Sequence, residues 1–325
     1  MAHLAGPGFA PRDFRSRGAR RNPVIPRLAV ALLLVQGVIT VRTELVAVPV
    51  TVTDAQGRHV TGLNQDNFRV FEDGRPQPIA VFSRGDAPLT LGVAVDRSQS
   101  MRSKTPALLA AVGALARSIR PGDEMFAVTF NDRAELALPG DQPFTNDAKQ
   151  LEAALSAVRA EGETALYDGV AEGLRHLRLG QSGKHALVIV SDGGDNASRE
   201  TYARILALAR QSDAVIYAIG LLGTSSAHEE DENAGLLKRL CGDTGGVAYF
   251  PSTPSEIVAM AAEIARDLRE QYTLGFTPGD RPDGRAFHKI RVTVTAPGLE
   301  HLHVRTRSGY LAGGDKAGTN DKDTP

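Results

Sequence analysis

The chain has 325 residues, of which 42% are hydrophobic and 23% charged, and its formal net charge is −1. That length holds one large α/β domain and a smaller module, and the near-zero charge removes any general electrostatic case for nucleic acid. The single cysteine, Cys241, excludes an intramolecular disulfide framework and a cysteine-rich metal site, and reads as a small buried hydrophobe.

Residues 1–40 read as a basic leader and signal peptide. Arg12, Arg15, Arg17, Arg20, Arg21 and Arg27 stand against one acid, Asp13, and an apolar run from Leu28 to Val35 follows, then Val38 and Ile39. Crossing a bilayer takes roughly 20 apolar residues, and this run is shorter. A basic start, an apolar run and then small residues is the layout of a secretory signal. The expectation is a mature chain with no transmembrane span, placed in the periplasm, at the cell surface or in the medium. A disordered basic leader is the competing reading.

Residues 41–84 read as β structure. Leu45 to Val52 has the composition of a strand, and Pro49 places it at a sheet edge. Asp54-Ala55-Gln56-Gly57 is a turn signal. Phe68-Arg69-Val70-Phe71 alternates apolar and polar, and Glu72-Asp73-Gly74 turns the chain toward Ile79 to Phe82.

Residues 85–271 change character. Leu91–Val95, Met125–Phe130, Ala186–Val190, Ala214–Ile219 and Val247–Phe250 are apolar runs of strand length. Such continuous apolarity suits parallel strands covered on both faces. Between them, Leu108, Val112, Leu115 and Ile119 share one helical face, as do Leu166, Val170, Leu174 and Leu177, and Ile257, Met260, Ile264 and Leu268. The alternation predicts an α/β fold with a doubly wound, mostly parallel, Rossmann-like sheet. Residues 272–312 return to β alternation. Each flank alone is marginal for independent folding, so the two are expected to pack together as one discontinuous β module. Residues 313–325 are polar and glycine-rich, and are expected to be disordered.

The chemistry lies where strands of the centre end, the place where open parallel sheets bind ligands. Asp96-Arg97-Ser98-Gln99-Ser100 follows the first strand and offers a carboxylate and two hydroxyls at alternating positions. These are hard oxygen donors, the type that Mg²⁺ takes. Taken alone, the string equally suits a strand-to-helix turn capped by Ser98 or Ser100. Ser191-Asp192-Gly193 ends a second strand on the same edge, where Asp192 also suits an Asp-Gly turn. Thr164 lies in a loop entering a helix and also suits an N-cap. Asp96 and Asp192 fall on one sheet edge, and the occurrence of all three elements together favours a site.

Asp96-x-Ser98-x-Ser100, Thr164 and Asp192 resemble the metal-ion-dependent adhesion site of von Willebrand factor type A domains and integrin inserted domains, over about residues 88–270. The flanks, including Phe68 to Gly74, Gln271 to Phe276 and Arg307-Ser308-Gly309-Tyr310, are similar to bacterial relatives of that family, though less specifically. Arg97 is a departure at a variable position. The resemblance implies a metal-dependent binding module and no enzyme. Ser98 and Ser100 would bind the ion directly, Thr164 directly or through water, and Asp96 and Asp192 directly or through water while orienting the rest. The ion, Mg²⁺ first and Mn²⁺ second, would capture an Asp or Glu carboxylate of a partner protein.

Two other classes compete. A Mg²⁺-dependent phosphohydrolase of the aspartyl-phosphate type wants an acid two residues after its nucleophile, and position 98 is serine. Neither serine sits in Gly-x-Ser-x-Gly, and no phosphate-cradling Gly-x-x-x-x-Gly-Lys loop occurs. A scaffold with a vestigial site is the other alternative. Asp168 is expected to favour its helix N-terminus. Asp195 and Asn196 read as solvated loop, and the acidic run 228–232 as a solvated loop face. His301-x-His303 reads as surface histidine on a strand.

Overall fold

A computed structural model of the chain describes residues 45–312 apart from 86, 193, 222–226 and 280–286. The leader at 1–40 and the tail at 313–325 lie outside the described residues.

The chain begins with β1 (Val46–Thr53), β2 (Phe68–Glu72), β3 (Arg75–Gln77) and β4 (Val81–Ser83). Asp73 and Gly74 both have positive φ, 49° and 81°, the backbone of the tight turn that joins paired antiparallel strands, here β2 and β3. The central domain runs β5 (Leu89–Asp96), α1 (Thr105–Ala116), β6 (Glu124–Phe130), β7 (Ala134–Leu136), α2 (Ala148–Ser156), α3 (Leu166–Leu177), β8 (Lys184–Ser191), α4 (Tyr202–Gln211), β9 (Val215–Gly220), α5 (Ala227–Thr244), β10 (Ala248–Tyr249) and α6 (Pro254–Glu270). β11 (Tyr272–Phe276), β12 (Phe287–Val294), β13 (His303–Thr306) and β14 (Gly309–Leu311) close the described chain.

The central sheet has the order β10-β9-β8-β5-β6-β7, parallel except for β7, which pairs antiparallel with β6. Every residue of β5 is buried, because α1, α2 and α6 cover one face of the sheet and α3, α4 and α5 the other. That explains the unbroken apolar runs, since a strand covered on both faces has no side left for polar residues. Each fully buried Val, Leu or Ile contributes about 1.5–3 kcal/mol, and Leu91, Val93, Val128, Val188, Ile189 and Ile216 are all at most 1% exposed.

The flanks form a smaller antiparallel β module of two four-stranded sheets, β13-β1-β11-β4 and β14-β12-β2-β3. Val48, Val50, Val52, Leu274 and Phe276 of the first sheet pack with Phe68, Val70, Ile290 and Val292 of the second. β1 is not an edge strand: it pairs with β11 over Val46–Val50 and with β13 over Val50–Thr53. Pro49 is tolerated because the β13 pairing begins one residue later. Its carbonyl accepts from Thr306 Oγ1 at 2.6 Å on that side, so its missing N–H faces the unpaired half of the strand.

Asp267 on α6 joins the module to the central domain. It is 2% exposed. Thr51 Oγ1 of β1 donates to Asp267 Oδ1 at 2.8 Å, His59 Nε2 lies 3.1 Å from the same atom, Tyr217 of β9 donates to Oδ2 at 2.7 Å, and Arg305 of β13 pairs with it as well. Burial pushes the Asp267 carboxyl up, but the bond with His59, the charge of Arg305 and the bonds from Tyr217 and Thr51 hold it below the usual range. Buried Lys184 at the start of β8 donates to the carbonyls of Leu268 (3.1 Å) and Gln271 (3.0 Å), satisfying the α6 C-terminus with a cation where the helix dipole favours one.

Two local expectations change. The acidic run 228–232 lies in the first turns of α5, not in a loop. His301 has φ 54° in a turn before β13, so it does not share a strand face with His303. No helix among the described residues is long and apolar enough to cross a membrane.

Candidate functional site

Parallel pairing of β5 with β8, with Val95 opposite Val190, brings the ends of both strands to one edge of the sheet. Asp96 closes β5 and is fully buried. Its Oδ1 accepts from the Ser98 backbone N–H at 2.8 Å and its Oδ2 from the Ser191 hydroxyl at 2.6 Å. Burial pushes the Asp96 carboxyl up to about 6, against the lowering pull of these bonds and with a further push from the Asp192 charge. Asp192 follows Ser191 directly, with its side chain 12% exposed and its Oδ2 3.5 Å from Lys104 Nζ.

Ser98 occupies the N-cap position of a short 3-10 helix, Gln99–Lys104, yet its side chain makes no capping bond. Its hydroxyl lies 3.0 Å from that of Ser100. Likewise the N-cap of α3 is Ala165, not Thr164, and no side chain of its own caps it. The first α3 donors go instead to the 195–198 loop: Tyr167 N–H to Asp195 Oδ1 at 3.1 Å and Asp168 N–H to Ser198 Oγ at 3.1 Å. The capping roles open to Ser98 and Thr164 in the sequence are therefore not the ones they serve.

Backbone bonds tie the loops together. Gln99 N–H donates to Gly162 O (3.0 Å), Glu161 N–H to Arg97 O (2.9 Å), Arg97 N–H to Phe130 O (2.7 Å) and Asn196 N–H to Thr164 O (3.0 Å). Thr164 N–H donates to Asn196 Oδ1 at 2.8 Å. The structure thus brings the loops of Asp96, Ser98 and Ser100, of Thr164 and of Asp192 into one hydrogen-bonded cluster at the sheet edge. Thr164 is 6% exposed and Ser98 2%, while Ser100 opens to solvent.

The donor set suits a small hard cation. An octahedron with metal–oxygen distances of about 2.1 Å has edges of about 3.0 Å, and the two serine hydroxyls stand at that separation. A carboxylate kept in a buried place at the cost of a raised pKa gains from a neighbouring cation. Among the described residues no three His, Cys, Asp or Glu side chains cluster as metal ligands.

Several neighbours were not legible as partners. Ser191 fixes Asp96, and Asn196 fixes Thr164. Asp168 accepts from the backbone N–H of Glu200 at 2.8 Å and Arg199 at 3.1 Å, so it secures a loop as well as facing its helix end. Asp195 serves as a remote cap for α3, not as solvated loop. Each depends on contacts between loops far apart in the chain. The only local signal was the density of Ser, Asp and Asn from 191 to 198. Arg97 is 3% exposed, and its Nε and Nη1 have no hydrogen-bond partner. Beside the 195–198 loop lies an open pocket of about 630 Å³, lined by Tyr167, Asp195, Asp231, Glu232, Asn233 and Arg239.

Residues 91–194 match the family model of the von Willebrand factor type A domain. No curated protein matches the chain. Among solved structures, a von Willebrand factor type A protein from Catenulispora acidiphila is similar at 13% identity and a TM-score of 0.48, covering 82% of this chain and 74% of that one. The PilB minor pilin from Streptococcus sanguinis is similar at 14% identity and 0.45, covering 60% and 64%. The pilus adhesin SpaC from Lactobacillus rhamnosus GG, in its open conformation, is similar at 11% identity and 0.47, covering 78% and 49%.

Proposed function

We propose that the von Willebrand factor type A domain of this chain is a divalent-metal-dependent protein-binding module that acts outside the cytoplasm and is not an enzyme. Asp96, Ser98, Ser100, Thr164 and Asp192 would hold one cation, Mg²⁺ by preference and Mn²⁺ second. The cation supplies an electrophilic position for an Asp or Glu carboxylate of the partner. Hydroxyl ligands are neutral, so they leave most of the ion's charge for that carboxylate.

The observation that carries this reading is the Ser98–Ser100 hydroxyl pair, 3.0 Å apart and free of capping duty, beside a buried Asp96 held by Ser191. The residues each have a task. Ser98 and Ser100 present lone pairs. Asp96 and Asp192 offset the cation's charge and orient the hydroxyls. Thr164, fixed through its backbone to Asn196, closes the set from the α3 side.

The test is calorimetry with Mg²⁺ and Mn²⁺ on the full chain beside Asp96→Ala. Binding by the wild type that vanishes in the variant supports the site. It then warrants a search for acidic protein ligands whose capture is lost with chelator. Binding that persists unchanged in Asp96→Ala sinks the assignment.

A further inference from the structure

We propose that Lys104 is a tethered ammonium that competes with the divalent cation for Asp192 and so sets the metal affinity of the site. The inference rests on the metal-binding reading of that site and adds a control element to it.

Only Asp96 and Asp192 of the candidate ligands are anionic. Lys104 Nζ lies 3.5 Å from Asp192 Oδ2, and the two side chains are only 16% and 12% exposed. The lysine ends the same 3-10 helix that the serine loop begins. Met101 anchors that helix with a fully buried side chain, its N–H bonded to Ser98 O at 3.1 Å and its carbonyl accepting from Thr105 Oγ1 at 3.2 Å. The turn returns the Lys104 side chain to the sheet edge that carries the serines. Arg97, which follows Asp96 in the chain, is itself buried, and Lys104–Asp192 is the ion pair that reaches a candidate ligand among the described residues.

A divalent ion entering such a site meets repulsion from Lys104 at short range, in surroundings that screen charge less than water does. It gains the full attraction of Asp192 only when the ammonium leaves. An ammonium on a four-carbon stem can swing into solvent, so the contact is reversible and the lysine acts as a gate.

The experiment is Mg²⁺ and Mn²⁺ calorimetry on the full chain, comparing wild type, Lys104→Met, Lys104→Gln and Lys104→Arg, with Asp96→Ala added in the Lys104→Met background. Two neutral variants are used so that misfolding of one, checked by circular dichroism, does not decide the matter. The expected result is metal affinity about ten-fold higher in the neutral variants, no gain in Lys104→Arg, and loss of binding in Lys104→Met/Asp96→Ala. Binding seen only in the neutral variants also supports the gate. Equal affinity in wild type and the neutral variants, with Asp96→Ala abolishing it, overturns the gate and leaves the metal site standing. No binding in any variant overturns both.

Discussion

The Ser191 hydroxyl donates to Asp96 Oδ2 at 2.6 Å, so the end of β8 orients the carboxylate that ends β5. Ser191→Ala removes the donor and leaves a buried acceptor with its desolvation cost. The variant is expected to lose about 1–3 kcal/mol of stability and to bind Mg²⁺ more weakly, because Asp96 is no longer held. Urea unfolding and calorimetry read the two effects. Unchanged metal affinity in a destabilised Ser191→Ala would assign the bond to folding alone.

Asp267→Asn should be among the most destabilising single changes in the chain. It removes the charge on which Thr51, His59, Tyr217 and Arg305 converge, and leaves the Arg305 cation next to a neutral amide. Breaking a buried pair on one side costs about 3–5 kcal/mol. A loss below about 1 kcal/mol in urea unfolding would show that the cluster is dispensable.

The same cluster sets a pH dependence. The bond with Asp267 raises the His59 pKa, against burial, with help from the charges of Asp267 and Glu270. A raised histidine contributes stability that is fully present below its unfolded value, about 6.5, and lost as pH rises through its native value. Asp267, with a lowered pKa, contributes stability present above about 3.9 and lost as pH falls through its native value. The two contributions overlap at mildly acidic pH. Melting temperature should fall on the alkaline side of that window, and His59→Gln should flatten the fall. The flattening is partial, because Asp213 also raises the pKa of His185 against its burial. Identical alkaline limbs for wild type and His59→Gln would remove His59 from the account.

Gly169 lies in the first turns of α3, just after Thr164, and a methyl there would collide with the Phe130 ring of β6. Gly169→Ala should cost about 1–3 kcal/mol through overpacking. It should also weaken Mg²⁺ binding, since lifting α3 moves Thr164. Gly173→Ala, where a Cβ would sit 2.8 Å from a Leu187 methyl, is the comparison: it overpacks the same helix one turn further from the site. Equal losses of metal affinity in both would point to a general effect on folding.

Strands were readable where both faces are covered, because β5, β6, β8 and β9 then consist almost wholly of apolar residues. Helices were readable where one face is apolar, as in α3 and α6. Helices α2, α4 and α5 escaped, and α5 begins in acidic residues that read as loop. Pro49 pointed to an edge, and the sheet instead offers half a strand with one unpaired side. At the site, residue types and order named Asp96, Ser98, Ser100, Thr164 and Asp192. Ser191, Asn196 and Lys104 did not emerge, because their roles depend on which loops meet at the sheet edge, and that is decided by packing of the whole domain.

The central domain is inserted into the β module: β4 leads into it, β11 leaves it, and Thr273 pairs with Ser83 across the insertion point. During synthesis, β1 to β4 therefore emerge with Val48, Val50, Phe68 and Val70 exposed, and wait for the whole central domain before β11 and β12 arrive to cover them. A ribosome-bound nascent chain ending before residue 272 has no means of completing either sheet. Until then those early strands present apolar side chains with no partner strand of this chain to cover them.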